Sequence, residues 1–185
     1  LSDAVMVYGN VDEVELVLNG KTIRRQTADK GPDSDYIPVP NGGNGKNLHF
    51  PPFTFYGVPK ERGVLKAVGY HQGKKVAEYT VKTPGVPERL DITYFESGKP
   101  ATKNDLLIVY VRMLDKQGVL CPVNGIPVEL SVQGGEIVGP TSYPLEAGVA
   151  SFLVRTGEIS KININATGKG FSTRKSLKVG KPPSR

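Results

Sequence analysis

The chain has 185 residues and a formal net charge of +6, and 38% of its residues are hydrophobic. This length allows one large domain or two of about 90 residues each, but it is far short of the ~250 residues of a (β/α)₈ barrel. The positive charges are scattered, which argues against a nucleic-acid surface, and no segment reaches the ~18 continuous apolar residues of a membrane helix.

Apolar and charged residues alternate in the first half of the chain. Residues 13–18 show the period of two that is typical of a half-buried strand. Asn19 and Gly20 follow at once, and this pair between β-rich runs is the strongest short-range hairpin signal. We predict a second hairpin with its turn at residues 71–73, and a further strand at residues 53–56.

Two irregular segments divide this pattern. Residues 27–52 are rich in Gly, Asn, Pro and Asp and have almost no periodicity, which is typical of a functional or a disordered loop. Residues 83–87 contain two prolines, and proline restricts the preceding residue to extended conformations. We therefore place the domain boundary in this stiff connector.

A nearly continuous apolar run opens the second half at residues 106–114. Its β-branched residues and the turn that follows favour a strand over a buried helix. Alternation places four side chains in the core: Leu107, Val109, Val111 and Met113. It places Leu106, Ile108 and Tyr110 on the outer face, where an apolar stripe predicts an interdomain docking surface.

Short strands continue at close intervals to residue 179, and no amphipathic helix of useful length is evident. Many short strands separated by turns indicate β-sandwiches. We predict an all-β chain of two tandem immunoglobulin-like β-sandwich domains, at residues 1–85 and 86–181, with a frayed tail at residues 182–185.

The chain also resembles a known family. Residues 5–23 (VMVYGNVDEVELVLNGKTI) and 63–87 resemble the domain that follows the catalytic barrel in glycoside hydrolase family 2, whose β-galactosidase-like members are common in gut Bacteroidetes. Residues 104–118, 134–140 and 148–171 are similar to the Ig-like domain that comes next.

The resemblance implies a non-catalytic C-terminal region of a larger protein that hydrolyses β-linked sugars. In the family the general acid and the nucleophile are glutamates of the barrel, and no residue here matches them. The resemblance further implies that the barrel of the parent chain is the partner, and that the location is periplasmic, secreted or at the cell surface.

The carboxylates support the same conclusion. Glycoside hydrolysis needs two carboxyl groups roughly 5 to 9 Å apart across a cleft. Glu13 and Glu15 lie about 7 Å apart on one strand face, but we interpret them as the solvated positions of an edge hairpin. We predict no catalytic residue in this chain.

Other chemistry is poorly represented. Cys121 is the single cysteine, and His49 and His71 are the only histidines, so neither a cysteine-built metal site nor a catalytic triad is indicated. Asp29, Asp33 and Asp35 cluster in the long loop, but they lack the order of a calcium-binding loop. We expect no metal and no cofactor.

Two alternatives to an accessory role remain. Exposed aromatic residues are the usual platforms for sugars, and Tyr36, Phe50 and Tyr56 would form such a site in a carbohydrate-binding module that recognises poly- or oligosaccharides. Tyr143 is a further aromatic residue that we place in a loop. The second alternative is an adhesin-type Ig-like spacer, although the two halves share no clear internal repeat.

Overall fold

A computed structural model describes residues 4–29, 50–95 and 100–180. All regular elements in this part of the chain are β-strands, which confirms the all-β prediction. The chain forms two compact units, unit 1 (Leu1–Thr83) and unit 2 (Pro84–Arg185). None of the described residues belongs to a helix long and apolar enough to cross a membrane.

The described residues of unit 1 form two antiparallel sheets. Its strands are β1 (Ala4–Val7), β2 (Glu13–Leu18), β3 (Lys21–Thr27), β4 (Phe53–Tyr56), β5 (Val64–His71) and β6 (Lys74–Lys82). One sheet has the order β3-β2-β5-β6, and the other consists of β1 and β4. Val14 and Leu16 of the larger sheet pack with Phe53 and Phe55 of the smaller one, and this cluster is the core of the unit.

Both predicted hairpins are present. Asn19 and Gly20 join β2 to β3 with φ angles of 51° and 81°, as a two-residue turn with two left-handed positions requires. Gln72 and Gly73 join β5 to β6 in the same way, with φ angles of 49° and 76°. The strand predicted at residues 53–56 is β4.

The hairpin of β2 and β3 lies at the edge of the larger sheet, as expected. Strand β3 is the edge strand, and β2 lies inside the sheet, between β3 and β5. Leu16 pairs with Ala67, and Leu18 pairs with Leu65. The pairing with β5 extends the apolar face of β2 across a further strand. The local sequence of β2 does not predict this pairing, because β5 is about 50 residues further along the chain.

Strand β6 forms an edge of this sheet. It is exposed along its whole length, and the register shifts where Gly69 pairs with Ala77 and Tyr70 with Lys75, which leaves Val76 as a bulge. Lysines and a bulge on an edge strand discourage pairing with other chains.

Unit 2 is a sandwich of two four-stranded sheets. Its strands are β7 (Arg89–Tyr94), β8 (Leu106–Leu114), β9 (Pro127–Gln133), β10 (Gly135–Ile137), β11 (Ser142–Pro144), β12 (Val149–Thr156), β13 (Lys161–Gly168) and β14 (Phe171–Lys178). The orders are β10-β12-β8-β7 and β11-β9-β13-β14, a division compatible with an immunoglobulin-like fold.

The core of unit 2 lies between these sheets. Val109 and Phe152 from one sheet pack with Leu130 and Ile164 from the other. Leu107, Val111 and Met113 are also buried, which confirms the alternation predicted for β8.

Tyr143 corrects a further prediction. We expected it in a loop, but it lies in β11, a short strand paired with β9. Its ring meets that of Phe152 edge to face, with centroids 5.4 Å apart. Tyr143 therefore covers the margin of the core. Strands of three residues such as β10 and β11 are too short to produce a visible alternation in sequence.

Candidate functional site

One surface of unit 1 carries a group of polar side chains that contact one another, and we call this surface the outer face. It is the side of sheet β3-β2-β5-β6 opposite the buried Val14 and Leu16. Strand pairing places Glu15 beside Arg25 of β3 and beside Val68 of β5. It likewise places Glu13 beside Tyr70. Side chains from three strands therefore meet on this face.

These side chains form a connected network. The Tyr70 hydroxyl donates to Glu15 Oε2 at 2.7 Å, and the Thr22 hydroxyl donates to Glu15 Oε1 at 2.7 Å. Arg25 Nη2 lies 2.6 Å from Glu13 Oε2. The Arg25 guanidinium also sits 3.8 Å from the centroid of the Tyr70 ring, a distance at which a cation attracts an aromatic ring.

The electrostatics of Glu15 are the reverse of those of a general acid. The hydrogen bond from Thr22 and then that from Tyr70 lower the pKa of Glu15 below its ordinary value. The bond to Glu15 raises the pKa of Tyr70 in turn. A catalytic acid needs a raised carboxyl pKa, so Glu15 is an ionised structural acceptor at neutral pH.

A shallow depression of about 420 Å³ lies on the same face. Its apolar part comprises valines 17, 64 and 68 together with the Tyr70 ring, and its polar part comprises Lys66, Lys75 and Glu78; Gly20 completes the lining.

The polar rim of the depression is organised around Glu78. Lys75 Nζ lies 2.6 Å from Glu78 Oε2, and Lys66 Nζ lies 3.7 Å from the same oxygen. The hydrogen bond from Lys75 is the main cause of the lowered pKa of Glu78, and the positive charge of Lys66 adds to it. The same bond raises the pKa of Lys75. Lys75 and Glu78 are therefore both charged at neutral pH.

Sequence reasoning missed this depression, and the bulge explains why. Lys75 and Glu78 are three residues apart, so in a regular strand their side chains would point to opposite faces. The extra residue at Val76 shifts the register and brings both onto the outer face. The alternation of residues 64–71 was the available signal, because it already assigns Lys66, Val68 and Tyr70 to one face.

Unit 2 carries an apolar surface that we call the outer patch, formed by Leu106, Ile108, Tyr110 and Leu153. Leu106 is 51% exposed and Ile108 43% exposed, whereas Tyr110 is half-buried. Leu153 of β12 pairs with Ile108 and widens the stripe across a second strand. The interdomain docking role predicted for this stripe stays a prediction.

The aromatic residues predicted to bind sugar are only partly described. Phe50 is 82% exposed. Tyr56 ends β4 and is half-buried. Tyr36 lies outside the residues that the structure describes, so the proposed convergence of the three side chains stays a prediction.

Asp12, His71 and Cys121 have structural surroundings that explain them. His71 Nδ1 lies 3.1 Å from Asp12 Oδ1, and the Gln72 N–H donates to Asp12 Oδ2 at 2.7 Å, so this carboxylate stabilises the turn between β5 and β6. The bond from Gln72 is the largest cause of the lowered pKa of Asp12. Cys121 is buried, and burial raises the pKa of its thiol, which is the opposite of what a nucleophilic cysteine needs.

Asp29 is the one aspartate of the predicted long loop that the structure describes, and it binds the backbone and side chain of Thr54. Asp29 accepts the Thr54 N–H at 3.0 Å and the Thr54 hydroxyl at 2.5 Å, which ties β4 to the end of β3. Asp33, Asp35 and His49 lie outside the described residues. Within residues 4–29, 50–95 and 100–180, no three acidic, histidine or cysteine residues are grouped as metal ligands would be.

Comparison with known proteins finds a matching family model and several similar sequences. Residues 2–77 match the model of a domain of unknown function, DUF4982. A β-galactosidase from Rhizobium radiobacter is 30% identical over 69% of this chain and 92% of its own length.

Two longer relatives show the same likeness. A β-galactosidase from Thermoanaerobacter pseudethanolicus is 30% identical over 83% of this chain, and one from Bacteroides ovatus is 32% identical over 71% of it. The chain spans only 20% of the first relative and 13% of the second.

Solved structures of glycosyl hydrolase family 2 proteins also resemble this chain. A glycosyl hydrolase family 2 member from Bacteroides cellulosilyticus matches 95% of this chain with a TM-score of 0.72 and 25% identity, and the match takes up 24% of that protein. A β-glucuronidase of the same family matches with a TM-score of 0.74 at 22% identity, which shows the shared fold.

Proposed function

The chain belongs to glycoside hydrolase family 2, whose C-terminal domain region it represents, and we propose that it is a non-catalytic accessory part of a β-galactosidase-like enzyme. The observation that carries this proposal is the state of Glu15. Its carboxylate is held ionised by Thr22 and Tyr70 on an open sheet face, whereas glycoside hydrolysis needs a protonated acid and a second carboxyl group across a cleft.

The chemistry of the whole protein would then reside in a catalytic barrel elsewhere in the polypeptide. The names of the relatives support hydrolysis of β-linked sugars, galactosides above all. We place the protein in the periplasm, outside the cell or at its surface, where polymeric sugars are encountered.

The accessory role requires a surface that contacts the rest of the parent chain, and the outer patch is suited to it. Leu106, Ile108 and Leu153 present apolar side chains to solvent on two paired strands. Burying apolar surface contributes about 25 cal/mol per Å², so covering this stripe with the barrel would stabilise both partners.

A charge placed in the outer patch tests this contact. Ile108→Asp should lower the melting temperature of the isolated chain by no more than about 4 °C, because the side chain is 43% exposed. In the longer polypeptide that also carries the barrel, the same change should lower the temperature of thermal inactivation by about a further 2–4 °C.

The matched control is Ser131→Asp, an exposed position of β9 on the other sheet of unit 2. It introduces the same charge away from the outer patch and should change neither temperature. If Ile108→Asp and Ser131→Asp behave alike in the longer polypeptide, the outer patch is not the contact surface.

A further inference from the structure

We propose that the depression on the outer face of unit 1 is a subsite for one pyranose unit of a neutral glycan. The inference goes beyond the accessory role, since unit 1 can present this surface whether or not the chain also contacts a catalytic barrel. It concerns a different part of unit 1 from the aromatic residues Phe50 and Tyr56.

The lining matches the two-sided chemistry of a sugar ring. A pyranose has apolar C–H faces and a rim of hydroxyl groups that both donate and accept hydrogen bonds. The depression offers Val17, Val64 and the Tyr70 ring as an apolar surface, with ammonium donors and a carboxylate acceptor beside them. Its volume of about 420 Å³ is within the range of small-molecule sites.

Val68 distinguishes this surface from an ordinary solvated sheet face. Its side chain points to the outer face, yet it is only 6% exposed. On a sheet whose other side forms the core, an outward valine is normally accessible. Here the side chains of the neighbouring strands close around it, so the apolar surface that a ligand can contact is that of Val17, Val64 and the Tyr70 ring, with the polar rim beside it.

The groups around the depression are held in place by one another. Tyr70 is fixed at its hydroxyl by Glu15 and at its ring by Arg25. Lys66 and Lys75 converge on Glu78. A ligand therefore meets side chains that are already ordered, which reduces the entropic cost of binding.

The charges of the outer face select the ligand class. The network contains three cations and three carboxylates, so its formal charge is zero: Arg25, Lys66 and Lys75 against Glu13, Glu15 and Glu78. An anionic sugar would have to compete with Glu78 for its lysines. A neutral sugar can hydrogen-bond to all three rim groups while their ion pairs stay intact.

The test is a titration of the full ¹⁵N-labelled chain with neutral probes, β-1,4-galactotetraose and cellotetraose, followed by amide chemical shifts. We expect saturable shifts at Val17, Val68 and Tyr70 with at least one of the two probes. Tetragalacturonate is the anionic counterpart and should bind about tenfold more weakly or not at all, because it must displace Glu78.

Two neighbouring lysines provide matched variants. Lys75→Ala removes a rim donor and should weaken binding about tenfold, whereas Lys74→Ala removes an equally exposed lysine that does not line the depression and should leave it unchanged. Thermal melting of both variants confirms that they are folded.

Several results would overturn the proposal: no saturable shift with either neutral probe, equal loss in both lysine variants, stronger binding of tetragalacturonate, or shifts confined to Phe50 and Tyr56. None of these bears on whether the chain is non-catalytic, which hydrolysis assays decide separately.

Discussion

Asp115 lies buried at the end of β8 and connects the start of unit 2 to the following turn. Its carboxylate accepts the Gly85 N–H at 2.7 Å and the Val119 N–H at 2.8 Å. The bond from Gly85 is the largest cause of its lowered pKa, and bonds from the turn backbone add to it. A lowered folded-state pKa means that this contribution to stability is present above the ordinary value of 3.8 and is lost as the pH falls through the folded value.

Asp115→Asn should therefore lower the melting temperature of unit 2 at neutral pH by about 4–8 °C. The amide replaces an acceptor oxygen by an NH₂ group that faces backbone donors. The difference in melting temperature between the variant and the unchanged chain should become smaller as the pH falls below 3.8, because the carboxyl group of Asp115 is then increasingly protonated. Melting curves by circular dichroism across this range measure it. The exposed Glu129→Gln is the control, and a gap that does not depend on pH would contradict this role.

Elements show which parts of the structure can be predicted from local sequence. The hairpin at Asn19 and Gly20 was predictable because positive φ at both positions favours these two residue types. The inward residues of β8 were predictable because strand alternation is regular. The bulge at Val76 and the pairing of β2 with β5 were not, since both depend on contacts between strands.

The candidate site likewise has features that local sequence predicts and features that depend on contacts between strands. Each strand alone assigns Glu15 or Tyr70 to a face, but only the sheet order brings Glu15, Tyr70 and Arg25 together. The depression needed the bulge in addition, because the bulge places Lys75 beside Glu78. Surface chemistry that spans several strands is therefore hidden until the register is known.

Gly148 fixes the start of β12 and provides a test at this scale. Its φ angle is +84°, and an added Cβ would collide with the Cys121 carbonyl. Gly125 has a similar φ angle of +75° but open space around it. Gly125→Ala should cost about 1–2 kcal/mol of unfolding free energy for the left-handed backbone alone. Gly148→Ala should cost clearly more, because the backbone must also move. Urea unfolding measures the free energy of unfolding of both variants. Equal losses would show that the backbone near Cys121 can move away from the added Cβ without a further loss of stability.

The whole molecule consists of two compact units with unequal cores. Among the described residues, the buried cluster of unit 1 comprises Val14, Leu16, Phe53 and Phe55, whereas the cluster of unit 2 draws on both of its four-stranded sheets. We therefore expect unit 1 to unfold at a lower temperature than unit 2, in a separate transition.

Core substitutions in each unit assign these transitions. Leu16→Ala in unit 1 and Ile164→Ala in unit 2 each remove a fully buried side chain and should cost about 2–5 kcal/mol. In scanning calorimetry the first should shift only the lower transition and the second only the upper one. A single transition that both substitutions shift equally would show that the units unfold together.

The central claim is that the chain is a non-catalytic part of a glycoside hydrolase. The most direct test is to incubate the purified chain with 4-nitrophenyl β-galactoside and 4-nitrophenyl β-glucuronide and to follow the release of nitrophenol. We predict no release above that of buffer, because Glu15 is engaged by Thr22 and Tyr70 and Glu13 by Arg25 on one open sheet face, where they do not oppose each other across a cleft. Release that is proportional to chain concentration and abolished by Glu15→Gln or Glu13→Gln would contradict the claim.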